Sequence, residues 1–284
     1  MEERRNSAEM IRSLYWEGCA FPEWVIYPTL WNKHVFSDTR VFYHKEDNLE
    51  TVKRLMLERE PCNIGMRRLY DSDALEKAFG WKYGAYGLQS ETPMPNIAVY
   101  CNATIHTEEK GFFQAHVLNL IGCAMDSPRQ PDFIQYNSKE KILNFYRAMW
   151  RLALEAVKSL KKSKFQIYNV GGGAFSGQYS YRFIEDIFEP SFLPLLPDFE
   201  AAGIQVLGYN AETKRFTGGR IPECLNEESQ DLENTVYVNA WDPWSLIGNG
   251  NECDNSLDGY WGRSSNMSVL GWLKTNPDMK FIGV

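Results

Sequence analysis

Histidine is scarce in this chain: 4 among 284 residues, at positions 34, 44, 106 and 116. The six cysteines (Cys19, Cys62, Cys101, Cys123, Cys224 and Cys253) contain no CxxC pair, so no zinc spacing emerges. Six scattered thiols read as reduced cysteines in a reducing compartment, which implies a cytoplasmic protein. Basic charge is also short. The 30 Lys and Arg against 37 Asp and Glu leave a net charge of −7. That argues against a nucleic-acid surface and against a polybasic membrane anchor. It leaves room for a small anionic ligand, because backbone N–H groups hold phosphate without net positive charge. No stretch approaches the ~18 apolar residues of a membrane span. The opening MEERRNSAEM is charged and lacks an apolar core, so a signal peptide is not expected. There is no GxSxG elbow, no internal repeat and no low-complexity tract.

What is present suits a globular protein: 44% hydrophobic and 24% charged residues, with 14% aromatic. The length fits one large domain or two small ones. Residues 1–92 read as a mixed, mostly helical extension, with a short strand at 38–44 and a helix at 48–60. Trp16, Trp24 and Trp31 read there as core more readily than as partner contacts. Residues 80–95, rich in Gly, Pro, Ser and Tyr, read as a long loop or boundary. Residues 93–284 read as a second unit of alternating strands and helices. Strands are predicted at 96–104, 113–122, 165–170, 203–209 and 235–240. A long helix is predicted over 138–163, with Asn137 as N-cap, Glu140 completing a capping box and KSLKKSK as a basic last turn. Further helices are expected from 181 and over 256–273, and residues 211–234 read as a surface connection. This alternation predicts an α/β fold with a mostly parallel sheet covered on both faces.

Two strand-exit loops carry the chemistry. The first, YNVGGGAFSG, spans Tyr168 to Gly177. In open α/β sheets ligands bind beyond the carboxyl ends of strands. Consecutive glycines let backbone amides approach a ligand closely. Two sharper motifs fail: Gln178 follows Gly177 where a P-loop needs Lys, and Ser176 stands where GxGxxG needs its last glycine. A flexible strand–helix turn is the alternative. The second loop, VNAWDPWSLIGNGNECDNSLDG, spans Val238 to Gly259 and gathers Asn239, Asp242, Asp254 and Asp258 among small residues. Its alternative is an Asn/Asp-rich turn with Asp254 or Ser256 as helix cap. An EF-hand fits poorly, since the calcium-loop order and the closing Glu are missing.

Together the two loops resemble the macrodomain family, whose members bind ADP-ribose. In that family a strand ends in VNAAN and is followed by a glycine-rich stretch and VDGAI. Here VNAWDPWSLIGNG precedes SLDGYWG after five inserted residues. The family also carries a VIHTVGP-like strand, a long helix and a strand ending in a diphosphate loop. HVLNLIG, the 138–163 helix and IYNVGGGAFSG follow in that order, with GIQVLGY as a later strand. The VNAAN-like segment comes last here, so the order is circularly permuted. The divergent signature is most similar to MavL-type arginine-specific ADP-ribosylhydrolases, which include bacterial effectors acting in a host cytosol. The resemblance covers about residues 95–284 and implies a three-layer α/β/α fold with a mostly parallel mixed sheet.

Residue by residue, the resemblance implies the following. Asn239, with Ala240 beside it, matches the first Asn of VNAAN and holds the distal ribose. Asp242 replaces the second Asn, a change of charge. Gly248, Asn249, Gly250 and Asn251 correspond to the stretch under ribose and diphosphate. Asp258 matches the acidic residue of VDGAI, while Asp254 lies in the insertion. Gly171, Gly172, Gly173, Ala174, Phe175, Ser176 and Gly177 match the diphosphate loop, with Phe175 against the distal ribose or, alternatively, an ordinary core residue. Asp126 is a candidate partner for the adenine amine or a turn-forming Asp before Ser-Pro.

The implied reaction is hydrolysis of an ADP-ribosyl N-glycosidic bond, with Asp258, Asp254 and Asp242 as catalytic carboxylates. Cleavage at an anomeric carbon builds oxocarbenium character, which nearby carboxylates stabilise while one of them activates water. An arginine leaving group is a planar cation that pairs with carboxylates. Mutual repulsion between carboxylates favours acid–base work near neutrality. Two carboxylates beside a diphosphate repel it, which a pure binding module has little reason to keep. His106 and His116 fall in predicted strands and read as satisfied structural histidines. No cofactor or metal is called for, and the expected partners are ADP-ribose and a mono-ADP-ribosylated protein, with neither nucleic acid nor membrane. The alternatives are a non-catalytic reader of ADP-ribose and a hydrolase acting on a free ADP-ribose derivative.

Overall fold

The computed structural model describes residues 36–57, 96–107, 111–128, 130–217, 231–240 and 280–284. Its centre is a seven-stranded sheet. In chain order the strands are β1 (Phe36–Tyr43), β2 (Ile97–Thr107), β3 (Gly111–Leu120), β4 (Lys164–Gln166), β5 (Gln205–Leu207), β8 (Thr235–Ala240) and β9 (Lys280–Gly283). Their spatial order is β5-β4-β8-β3-β2-β1-β9. β5, β4, β8 and β3 are mutually parallel, and β1 pairs in parallel with β9. Only β2 runs against its neighbours. The fold is therefore α/β with a mostly parallel mixed sheet. β6 (Tyr209–Asn210) and β7 (Arg215–Phe216) form a small separate hairpin. β1 lies within the 1–92 stretch and joins the same sheet as the strands beyond residue 93.

Side chains alternate across the sheet, as a strand's period of two requires. One face carries Phe42, Ala98, Tyr100, Leu118, Leu120, Phe165, Val236 and Val238. Against them packs the long helix α3 (Lys139–Leu160), which follows the short helices α1 (Leu49–Leu57) and α2 (Pro131–Gln135). Ile142, Phe145, Tyr146, Met149, Trp150, Ala153, Ala156 and Val157 form its buried stripe at helical spacing. Each large side chain in that stripe contributes about 1.5–3 kcal/mol by leaving water. The opposite face carries Val41, Val99, Cys101, Val117, Asn119, Tyr237 and Asn239, which are also buried.

The N-cap of α3 is Ser138, not Asn137. Ser138 Oγ accepts from the Lys141 amide (3.3 Å), while Asn137 Oδ1 takes the Lys141 ammonium (3.1 Å). A serine oxygen sits closer to its own backbone and reaches the first turn. The helix stops at Lys161, which adopts the left-handed conformation at φ 56°. The strand expected over 165–170 pairs only as far as Gln166, and the strand expected over 203–209 joins the large sheet only over Gln205–Leu207, Tyr209 pairing instead in the small hairpin. From 174 the chain winds through a 3₁₀ turn (Ala174–Tyr179), a π turn (Ile184–Phe188) and the short helices α4 (Glu189–Phe192) and α5 (Leu196–Ala201). Among the described residues no helix is long and apolar enough to cross a membrane. The helix expected over 256–273 lies outside the described residues.

Candidate functional site

Three neighbouring parallel strands, β4, β8 and β3, end on the same edge of the sheet. β8 lies between the other two. Its last residue, Ala240, pairs with Leu120 at the end of β3. The exits of β3 (121–130) and β4 (167–179) therefore flank the point where the chain leaves β8. Asp242, Gly248, Asn249, Gly250, Asn251, Asp254 and Asp258 lie outside the described residues. The topology fixes where their loop departs, at the end of β8 between the β3 and β4 exits.

The glycine run is held against the β3 exit by contacts that exclude side chains. A Cβ on Gly122 would come within 2.4 Å of Gly171 Cα, and one on Gly171 within 2.0 Å of the Tyr146 hydroxyl. A Cβ on Gly177 would fall 2.0 Å from the Met125 carbonyl oxygen. Gly171 and Gly177 also adopt φ of +79° and +51°, values that glycine tolerates best. A Cβ on Gly172 would strike the Asn169 side chain, whereas Gly173 faces open space. The glycines at 171, 172 and 177 thus serve close protein packing, and Gly173 alone has room beside it. The amide hydrogens of Gly171, Gly172 and Gly173 find no acceptor among the described residues. Asn169 Oδ1 is closed from solvent and equally without a partner among them.

The remaining loop residues have defined places. Phe175 is half-buried, and its carbonyl accepts from the Met125 amide (2.8 Å). Ser176 is buried with its hydroxyl turned inward onto the Gly173 carbonyl (2.6 Å). That carbonyl also accepts the Ser176 amide (3.0 Å), which closes the turn begun at Ala174. Asp126, the residue after Met125, is exposed and accepts from Gln130 Nε2 (3.4 Å).

Asn239 is buried on the face away from α3, and its Nδ2 donates to Asn119 Oδ1 (2.7 Å). Asn119 in turn donates to the Val99 carbonyl (2.9 Å). A side-chain relay thus crosses β8, β3 and β2 one residue before the edge. The glycine loop packs over the α3 side, so a ligand touching both would straddle the crest of the sheet.

Sequence reading missed three residues here. Asn119 was marked only by being polar within the apolar run HVLNLIG. Tyr146 looked like one more ring of the helix stripe, yet its hydroxyl accepts the Cys123 amide (3.1 Å). Asp132 carries no local motif, yet it is 1% exposed and Oδ2 accepts the Ala124 amide (2.9 Å).

The electrostatics of the edge keep its weak acids protonated. Burial pushes the Cys123 thiol well up, and the Asp132 carboxylate pushes it further. The same two causes, in the same order, raise the Tyr136 hydroxyl. Burial also raises Tyr146, and it pushes the Cys101 thiol up to about 12. Neither thiol is a nucleophile in this state. Among the described residues no group of three His, Cys, Asp or Glu side chains is placed to hold a metal ion. The described exits of β3 and β4 offer backbone amides, the Asn169 and Asn239 amide side chains and the exposed Asp126 carboxylate. No protein-family model matches the chain, and no curated protein matches it significantly.

Proposed function

We propose that the protein is an ADP-ribosylhydrolase that removes mono-ADP-ribose from modified protein side chains, arginine being the expected linkage. The observation that carries the reading is the adjacency of two strand exits. The glycine loop after β4, with the Gly171–Gly173 amides unclaimed by other described residues, stands one strand from the exit of β8, where VNAWD begins. Consecutive backbone amides in a turn entered through a left-handed glycine are donors of the kind that hold a diphosphate. The negatively charged chain binds its anion through such dipoles rather than through a basic patch. The macrodomain-like permuted order of the segments belongs to the same proposal.

In this reading the diphosphate lies on the 171–177 loop and the distal ribose lies towards β8. Asn239 stands at the ribose end, its side chain held by Asn119. Asp242, Asp254 and Asp258 supply the chemistry. One carboxylate activates a water molecule for attack at the anomeric carbon. Another pairs with the guanidinium leaving group, and their negative charge offsets the developing oxocarbenium.

The test is incubation with an arginine-ADP-ribosylated protein and detection of free ADP-ribose. Release that is lost in Asp258→Ala supports the hydrolase. Binding of ADP-ribose without release would make the protein a reader. Release only from a free ADP-ribose derivative would move the substrate class. No affinity for ADP-ribose at millimolar concentration would end all three readings.

A further inference from the structure

Three consecutive backbone amides at the β3 exit are each held by a different element. The Cys123 amide donates to Tyr146 Oη on α3 (3.1 Å). The Ala124 amide donates to Asp132 Oδ2 on α2 (2.9 Å). The Met125 amide donates to the Phe175 carbonyl in the glycine loop (2.8 Å). Cys123, Ala124, Met125, Tyr146 and Asp132 are all buried, so bulk water does not readily replace a lost acceptor. The Tyr146 hydroxyl also lies where a Cβ on Gly171 would be, so the same oxygen contacts the root of the glycine loop.

We propose that Tyr146 and Asp132 are positioning residues that set the shape of the ligand loop from the helix core, by fixing the 123–125 segment onto which the glycine loop is hydrogen-bonded. The two side chains touch no ligand in this scheme. They act through the Cys123 and Ala124 amides, which orient the Met125 amide, which in turn fixes Phe175 and the turn around Gly173. Only the identity of the ligand rests on the function proposed above.

The variants are Tyr146→Phe, Asp132→Ala and Asp132→Asn, each in the full chain. Hydrogen exchange at residues 122–126 and 170–177 reads the clamp, with residues 115–119 of β3 as the control for global stability. Calorimetric titration with ADP-ribose reads the loop's function. Tyr146→Phe and Asp132→Ala are expected to speed exchange in both segments and to raise the ADP-ribose Kd about tenfold, the size of one buried hydrogen bond. Asp132→Asn keeps a carbonyl oxygen for the Ala124 amide and is expected to stay within about threefold of wild type. In hydrolysis the loss is expected in KM, with kcat little changed, because the clamp shapes binding and not the reacting atoms.

Unchanged exchange at 122–126 in folded Tyr146→Phe and Asp132→Ala overturns the clamp. Faster exchange at 122–126 with unchanged exchange at 170–177 and unchanged affinity overturns the positioning role. An Asp132→Asn as damaged as Asp132→Ala overturns the assignment to the Ala124 hydrogen bond. If Asp132→Ala fails to fold, Tyr146→Phe and Asp132→Asn decide the matter. If wild type does not bind ADP-ribose, the functional reading fails, while exchange in the two segments still decides whether Tyr146 and Asp132 couple them.

Discussion

The two edges of the sheet handle polar groups in opposite ways. At the amino edge of the parallel strands, charged and polar side chains engage one another and nearby carbonyls. Lys162 donates to the Glu233 carbonyl (2.5 Å), Lys164 lies 3.4 Å from Asp231, and Thr235 Oγ1 donates to the Asp231 carbonyl (2.6 Å). Arg40 pairs with Asp38 and lies over the Tyr100 ring, and the Tyr100 hydroxyl meets His116 Nδ1 (2.7 Å). At the carboxyl edge the described loops after β3 and β4 carry little charge, whereas the turn after β1 carries Lys45, Glu46 and Asp47. Asp132 is committed to a backbone amide, Asp126 is exposed, and the Gly171–Gly173 amides remain open among the described residues. An edge whose polar groups satisfy one another has little left for a ligand. The function proposed above places the ligand at the edge that fixes its loops by backbone contacts and whose Gly171–Gly173 amides find no acceptor among the described residues.

The contrast breaks most sharply at the chemistry. On the function proposed above, Asp258→Ala should lower hydrolysis by about 10²–10⁴-fold, the usual worth of a general acid or base. Single-turnover release of ADP-ribose is the measurement, and a variant with full rate would remove Asp258 from the mechanism.

Next in size comes a paired test of the two edges. Gly171→Ala puts a methyl group on the Tyr146 hydroxyl and forces alanine to φ +79°. Overpacking of that kind costs about 1–3 kcal/mol, and the left-handed backbone adds about 1–2 kcal/mol. Denaturant unfolding should show this loss together with a large loss of ADP-ribose affinity. Lys162→Ala at the other edge should change stability by about 1 kcal/mol or less and leave affinity untouched. Equal effects of the two on affinity would erase the distinction between the edges.

Asn119→Ala comes third. It removes an acceptor of the buried Asn239 amide group and should cost about 1–3 kcal/mol in chemical denaturation. The ribose end of the site should loosen with it, so affinity for ADP-ribose should fall more than affinity for ADP.

The smallest effect belongs to His116. Burial, followed by the charge of Lys162, lowers its pKa below the ordinary value near 6.5. The unfolded chain therefore takes up the proton first, and stability falls as pH drops below about 6.5 until the lower folded pKa is passed. His116→Gln should flatten that part of the melting temperature against pH profile. Asp186, held low chiefly by its hydrogen bond from Lys139, and Asp231, held low chiefly by that from Asn234, lose their contribution only in more acidic solution. A slope just below pH 6.5 that persists in His116→Gln would assign it elsewhere.

Much of the scaffold was legible because it follows periodicity. The apolar stripe of α3 and the β-branched run of β8 are local patterns, and β8 begins and ends where the sequence places it. The glycine loop was legible as a strand-exit loop, though not the reason for its glycines. Proximity to Tyr146, Asn169 and Met125 depends on residues up to dozens of positions away, and no local pattern records it. The cap at Ser138 was missed because Asn and Ser are both good caps, and only the backbone path chooses between neighbours. The ends of β4 and β5 were overrun because apolar residues continue past the last paired residue, into core packing rather than into the ladder.

Composition and spacing by themselves determined an α/β protein, its long amphipathic helix, and the two loops rich in glycine, asparagine and aspartate. Those properties follow from short-range backbone preference and hydrophobic pattern, which a linear text carries. Only the tertiary structure decided that β8 lies between β3 and β4, that β1 joins the same sheet, and that Tyr146 and Asp132 hold the amides beneath the glycine loop. Strand order and buried hydrogen bonds arise from contacts between distant segments, whose energies depend on the whole packed arrangement.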